Sequence, residues 1–150
     1  MTAELTDDEL VVQFERLALR PGDFGHREHV RLAYAMLADL GDFGEAAVRY
    51  RRALRAFAAH VGAAGKYHET LTWAYLALVH ERMYALYGER GIDASDRAAR
   101  CSLESAELIA RFPDLVDHKS GALARYYDVK AVAASPTARA VFVLPGGLNS

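Results

Sequence analysis

Lys66 to Gly88 reads KYHETLTWAYLALVHERMYALYG, and its middle, LTWAYLALV over Leu71 to Val79, is apolar on nearly every side. A helix with that pattern is buried on most of its surface, so this stretch predicts the central helix of an all-α bundle, over Tyr67 to Tyr87 and closed by Gly88 and Gly91. The expected core on it is Leu71, Tyr75, Leu76, Leu78, Val79 and Met83. The run is far shorter than the roughly 20 residues that span a bilayer.

Outward from it the rest also reads as helix. Thr6 with Glu9 three residues on has capping-box spacing, Leu10, Phe14 and Leu17 follow at i, i+4 and i+7, and Pro21-Gly22 ends that helix. A second helix runs from His26 to Gly41, with Val30, Ala33, Met36, Leu37 and Leu40 inward and Arg27, Glu28, Arg31 and Asp39 mostly outward. A third runs from Glu45 to Val61 on a stripe of Ala47, Tyr50, Leu54, Phe57 and Val61, and Gly62 to Gly65 breaks it. A fifth helical region spans Ser95 or Asp96 to Phe112, with Ser102 a point of interruption and Pro113 its end. A sixth covers Lys119 to Tyr127. Ser135-Pro136 starts a last short turn as N-cap and first helical residue, and Phe142 and Leu144 are expected to pack the tail. The fold class is therefore all-α: one domain over residues 1–150, a bundle of five to six helices.

The 150 residues carry a formal net charge of −2, which leaves no overall footprint for nucleic acid. One basic cluster, Arg49, Arg51, Arg52 and Arg55, reads as a solvated helix face. The single cysteine, Cys101, excludes an intrachain disulfide, and the acidic start MTAELTDDEL is unlike a signal peptide, so the cytoplasm is the expected location. No membrane partner is expected. Eight tyrosines suit interfaces, and a homo-oligomer stays open.

Six histidines are present: His26, His29, His60, His68, His80 and His118. His26 and His29, at i, i+3, continue the inward line of the second helix. His68, Thr72 and Tyr75 form a polar line on the otherwise apolar central helix. His60 and His118 sit near helix ends and read as surface residues, and His80-Glu81-Arg82 reads as the point where the helix emerges into water. There is no H-E-x-x-H, P-loop, G-x-G-x-x-G, nucleophile elbow or C-x-x-C.

Three strings, FGHREHVRLAY (Phe24 to Tyr34), KYHETLTWAYL (Lys66 to Leu76) and RYYDVKAVAASPTARAVFVLP (Arg125 to Pro145), resemble an uncharacterised family of short bacterial helical proteins. That family carries F-x-H-x-x-H-[LV]-R-L-A and K-Y-H-x-T-x-T strings, with serine where Asp128 stands here. The resemblance supplies no activity. It implies that His26, His29, Lys66, Tyr67, His68, Thr70 and Thr72 belong together.

Two functions follow as expectations. One is a small-molecule enzyme with a His-lined pocket at one end of the bundle, where His29, His68 and Tyr67 do the chemistry and His26, Lys66, Glu69, Thr72 and Tyr75 hold the ligand. Parallel second and fourth helices would bring their positive N-terminal ends to that pocket, favouring an anionic ligand. A divalent transition metal on His26, His29 and His68 is a variant of the same reading. The other function is a non-catalytic module that binds a small ligand or a protein partner over a structural His/Tyr/Thr network.

Overall fold

The computed structural model describes residues 4–117 and 121–147. Among them it contains eight α-helices, several short 3-10 turns and no strand. Helix α1 covers Asp7–Glu15, and the Thr6–Glu9 capping box holds its start in both directions. Helix α2 covers His26–Leu40 and α3 covers Phe43–His60. Gly41 ends α2 with φ 71°, and a Cβ there would meet Nη2 of Arg100 at 2.5 Å, so both conformation and space demand glycine. Helix α4 covers Glu69–Arg90 and is the longest.

The expected fifth helix divides into α5, Arg97–Arg100, and α6, Ser105–Arg111, with the break at Ser102. A 3-10 turn over Ala122–Arg125 stands where the sixth was expected; its expected start at Lys119, like His118, lies outside the described residues. Two short helices close the chain, α7, Val129–Ala134, and α8, Pro136–Ala140 with Ser135 as its N-cap. No helix among the described residues is long and apolar enough to cross a membrane.

The hub of the bundle is α2. It packs against α1, α3, α4, α5, α6 and the Pro113–Val116 turn. Eight of its fifteen residues are buried, against nine of twenty-two in α4, so the expectation that α4 is the most buried element does not hold. Leu76, Leu78, Val79 and Met83 are in the core as expected, whereas Leu71 and Tyr75 are only half-buried. The reason lies in its second half, where Ala77, Glu81, Tyr84, Ala85 and Gly88 to Arg90 are exposed, whereas its start meets α3 at Glu69, α7 at His68 and the segment after α8 at Thr70.

Arg31 was expected outside and is buried. It donates to the Leu5 carbonyl, Glu4, Asp7 and the Ser105 hydroxyl, tying α1, α2 and α6 together. The tail packs one residue out of the expected register: Val143 is buried while Phe142 and Leu144 are exposed. Thr70, fully buried on α4, sets that register by donating from Oγ1 to the Val141 carbonyl and accepting the Val143 N–H.

Direction and offset of the helices place the candidate residues. Phe43 meets Trp73 and His80, and further along α3 Arg51 meets Glu69, so α3 and α4 run antiparallel. The short link at Gly41 makes α2 and α3 antiparallel too, which leaves α2 and α4 parallel, as an up-down bundle requires. Their starts are not level. His26, first in α2, packs its ring on Tyr75 with centroids 4.7 Å apart, and Tyr75 lies roughly 10 Å along α4 from His68 at the standard helical rise.

Candidate functional site

The residues singled out from the sequence fall into three neighbourhoods. The first is the start of α2. The Nε2 of His26 is 3.0 Å from the Leu115 carbonyl oxygen. His29 packs on Phe24 at 4.3 Å, and Phe24 in turn contacts Phe14 and Phe57. This apolar wall, helped by the like charge His26 would carry, pushes the His29 pKa down to about 4. Tyr75 presents a buried hydroxyl with no hydrogen-bond partner among the described residues, and burial followed by Asp117 pushes its ionisation up.

The second neighbourhood is the N-terminus of α4. His68 is the N-cap residue. Its Nδ1 accepts the Leu71 N–H at 3.1 Å, so the proton sits on Nε2, which donates to the Val132 carbonyl of α7 at 2.9 Å. Both ring nitrogens are thereby used for structure. Burial, with Arg139 nearby, holds its pKa below the ordinary histidine value, although the bond to Val132 works the other way. Thr72 donates to the His68 carbonyl. Among the described residues no group of three or more His, Cys, Asp or Glu side chains is arranged to hold a metal ion. His26, His29 and His68 therefore do not form the three-histidine metal set that the sequence offered. The offset of α2 against α4 is the physical reason.

The third neighbourhood is a cleft of about 380 Å³ between α3, the Ala64–Lys66 turn, the start of α4 and α8. Arg51, Arg55, Arg139, Tyr67 and Glu69 line it over a floor of alanine and glycine. Arg51 donates from Nε to Glu69 at 2.8 Å, and the Tyr67 hydroxyl donates to the same carboxylate at 2.6 Å. Burial alone would raise the Glu69 pKa, but these two donors hold it below the ordinary carboxylate value. Burial first, and then the bond to Glu69, pushes the Tyr67 pKa up to about 12. Arg55 lies over the Tyr67 ring at 5.8 Å and has no carboxylate partner among the described residues. Arg139 is fixed by the carbonyls of Gly65 and Ala133. Lys66 is exposed in the same turn but outside the lining.

Sequence reasoning found Tyr67 and Glu69 but missed the arginines. The Arg49 cluster is a solvated face only in part: Arg52 and Arg55 are exposed as expected, whereas Arg49 and Arg51 are half-buried and paired. Arg49 bridges Glu15 and Asp39, Arg51 holds Glu69, and Arg55 covers Tyr67. The i, i+4 spacing of Arg51 and Arg55 could have signalled one shared face, whereas nothing in ASPTARA announces that Arg139 joins them. At His80-Glu81-Arg82 only Glu81 reaches water, while His80 and Arg82 are half-buried. His80 stacks between Phe43 and Tyr84, and Arg82 pairs with Asp114 against Phe112.

A larger cleft, about 450 Å³, lies beside α1, α2, α5 and α6. Its arginines are already paired, Arg27 and Arg31 with Glu4, Arg31 with Asp7 and Arg97 with Asp39, and Asp7 also accepts from Ser105. These groups satisfy one another, and the arrangement is ionic stitching between helices.

No family model, curated protein or solved structure matches the chain.

Proposed function

We propose that the protein binds a small anionic molecule in the cleft of Arg51, Arg55, Arg139, Tyr67 and Glu69, as a binding module rather than as a histidine acid–base enzyme. One observation carries this reading: three guanidiniums from two separate helices surround that cleft against a single carboxylate, and the fork of Arg55 meets no carboxylate among the described residues. Guanidinium forks match carboxylate and phosphate oxygens two at a time, and the match strengthens where water is partly excluded. The α4 N-terminus adds its partial positive charge nearby. Tyr67 and Glu69 orient Arg51, and Glu69 offers an acceptor to a hydroxyl or amine on the same ligand.

Binding is favoured over turnover because no histidine lines the cleft, and His68, between the lining residues Tyr67 and Glu69, has no ring nitrogen to spare. Proton transfer needs one within hydrogen-bond reach of the substrate, and both nitrogens of His68 are held by backbone groups. The test is a sulfate and phosphate titration followed by NMR of the arginine side-chain N–H signals. Shifts should centre on Arg51, Arg55 and Arg139, and Arg55→Ala or Arg139→Ala should weaken binding about tenfold, as expected for one charge-assisted contact. No binding, or variants that bind like the unaltered chain, would end the reading. Turnover of a phosphate monoester that is lost in His68→Asn would restore the catalytic alternative.

A further inference from the structure

The His68 ring joins two things that the cleft depends on. It caps α4, whose first residue Glu69 lines the cleft, and it holds α7, which leads directly into α8 and Arg139. Val132, Ala138 and Val143 of this segment are buried in the core, and the polar contacts that position it among the described residues are those of Thr70 with Val141 and Val143, Tyr127 with Val143, and Arg139 with Gly65. Resting on the cleft as the binding site, we propose that His68 is a pH-operated latch: its protonation releases the contact between the start of α4 and α7, shifts α8 so that Arg139 leaves the wall, and lowers the affinity for the anion.

The neutral ring is the only form that fits. A proton on Nδ1 would face the Leu71 N–H, donor against donor, and the cap would be lost. The imidazolium would also sit on the positive end of α4. The charged group that acts on the ring from the packed elements is Arg139 of α8, another cation. Helix α7 offers the ring the Val132 carbonyl while its one charged side chain, Lys130, is exposed, and Glu69, the neighbour on α4, is engaged by Arg51 and Tyr67. That carbonyl alone favours the charged ring, against the cap, the helix end and Arg139. The ring relieves the conflict by turning out to water, and the bond to Val132 goes with it.

Linkage supplies a test that simple charge attraction cannot imitate. If the latch holds, the anion binds the form with neutral His68 and must lower the His68 pKa by the same factor that protonation lowers affinity. If the imidazolium merely attracts the anion, the pKa must rise instead. Sulfate is the probe, since it stays dianionic throughout the range. Its affinity should fall about tenfold between about pH 8 and pH 5, where histidine titrates, with circular dichroism confirming that the bundle remains folded. The His68 Cε1–H signal should titrate at lower pH with sulfate present. His68→Asn keeps an N-cap acceptor without a titrating ring, so it should bind sulfate with an affinity that changes less than about twofold over the same range. A His68 pKa raised by sulfate, or the same pH dependence in His68→Asn, overturns the latch while leaving the cleft in place. No sulfate binding at pH 8 overturns the cleft itself, and the latch with it.

Discussion

Acidification should destabilise this fold through His29, and the size of the effect follows from its surroundings. The ring is pressed against Phe24, beside Phe14 and Phe57, and its pKa is pushed down to about 4 from an ordinary 6.5, by burial first and then by His26. The neutral ring is therefore the folded form, while the unfolded chain takes up a proton as soon as the pH drops below about 6.5. Between those values the unfolded state binds more protons, so stability is complete above about pH 6.5 and is lost as pH falls toward about 4. At about 1.4 kcal/mol per pH unit the loss is about 2 kcal/mol by pH 5 and about 3 kcal/mol by pH 4. His68 and His80 are shifted in the same direction and add to the slope.

Urea denaturation at a series of pH values, on the unaltered chain and on His29→Leu, isolates the His29 part. Leucine is close to histidine in volume and suits the aromatic wall, but it cannot titrate. The two curves should converge as pH falls from 7.5, the difference in stability moving by about 3 kcal/mol in favour of the variant by pH 4. Parallel curves would mean that the ring takes up its proton as readily in the folded chain as in the unfolded one, and the argument from burial would fail.

Leu78→Ala and Phe57→Ala should each cost about 2–5 kcal/mol in urea denaturation, since both side chains are buried in the shared core. Tyr34→Phe and Tyr87→Phe remove buried hydroxyls that have no hydrogen-bond partner among the described residues, so they should leave the melting midpoint unchanged or raise it. A loss of more than about 1 kcal/mol in either would show that its hydroxyl is satisfied.

The helices were legible because their signals are local. Thr6 with Glu9, Gly41, Ser135-Pro136 and the apolar run of Leu71 to Val79 each act within one or two turns, and each marks a real cap, stop or core face. The hub was not legible. The sequence of α2 looks ordinarily amphipathic, and only tertiary packing turns Arg31 inward, because it finds four acceptors from α1, α6 and the two residues Glu4 and Leu5 ahead of α1. A buried guanidinium costs too much to be guessed from one sequence unless its partners are known. The tail failed for a related reason: Val141 to Leu144 alternates equally well in either register, and the Thr70 hydroxyl decides between them.

The candidate site depended on one distance that a sequence does not carry, the offset between two parallel helices. Parallel order alone would put His26, His29 and His68 at one level. The same order with α2 displaced by two turns puts His26 beside Tyr75 and leaves His68 facing α7. The displacement leaves the first turns of α4 uncovered by α2, and that space is filled by α8, which brings Arg139 toward Arg51, Arg55 and Glu69. The shift that separates the histidines is therefore the one that assembles the arginines. Either arrangement would suit the anionic ligand proposed above, and the arginine cleft is the one that offers it guanidinium donors. In the proposed latch His68 would act on that cleft through the backbone it holds, the start of α4 and the Val132 carbonyl of α7.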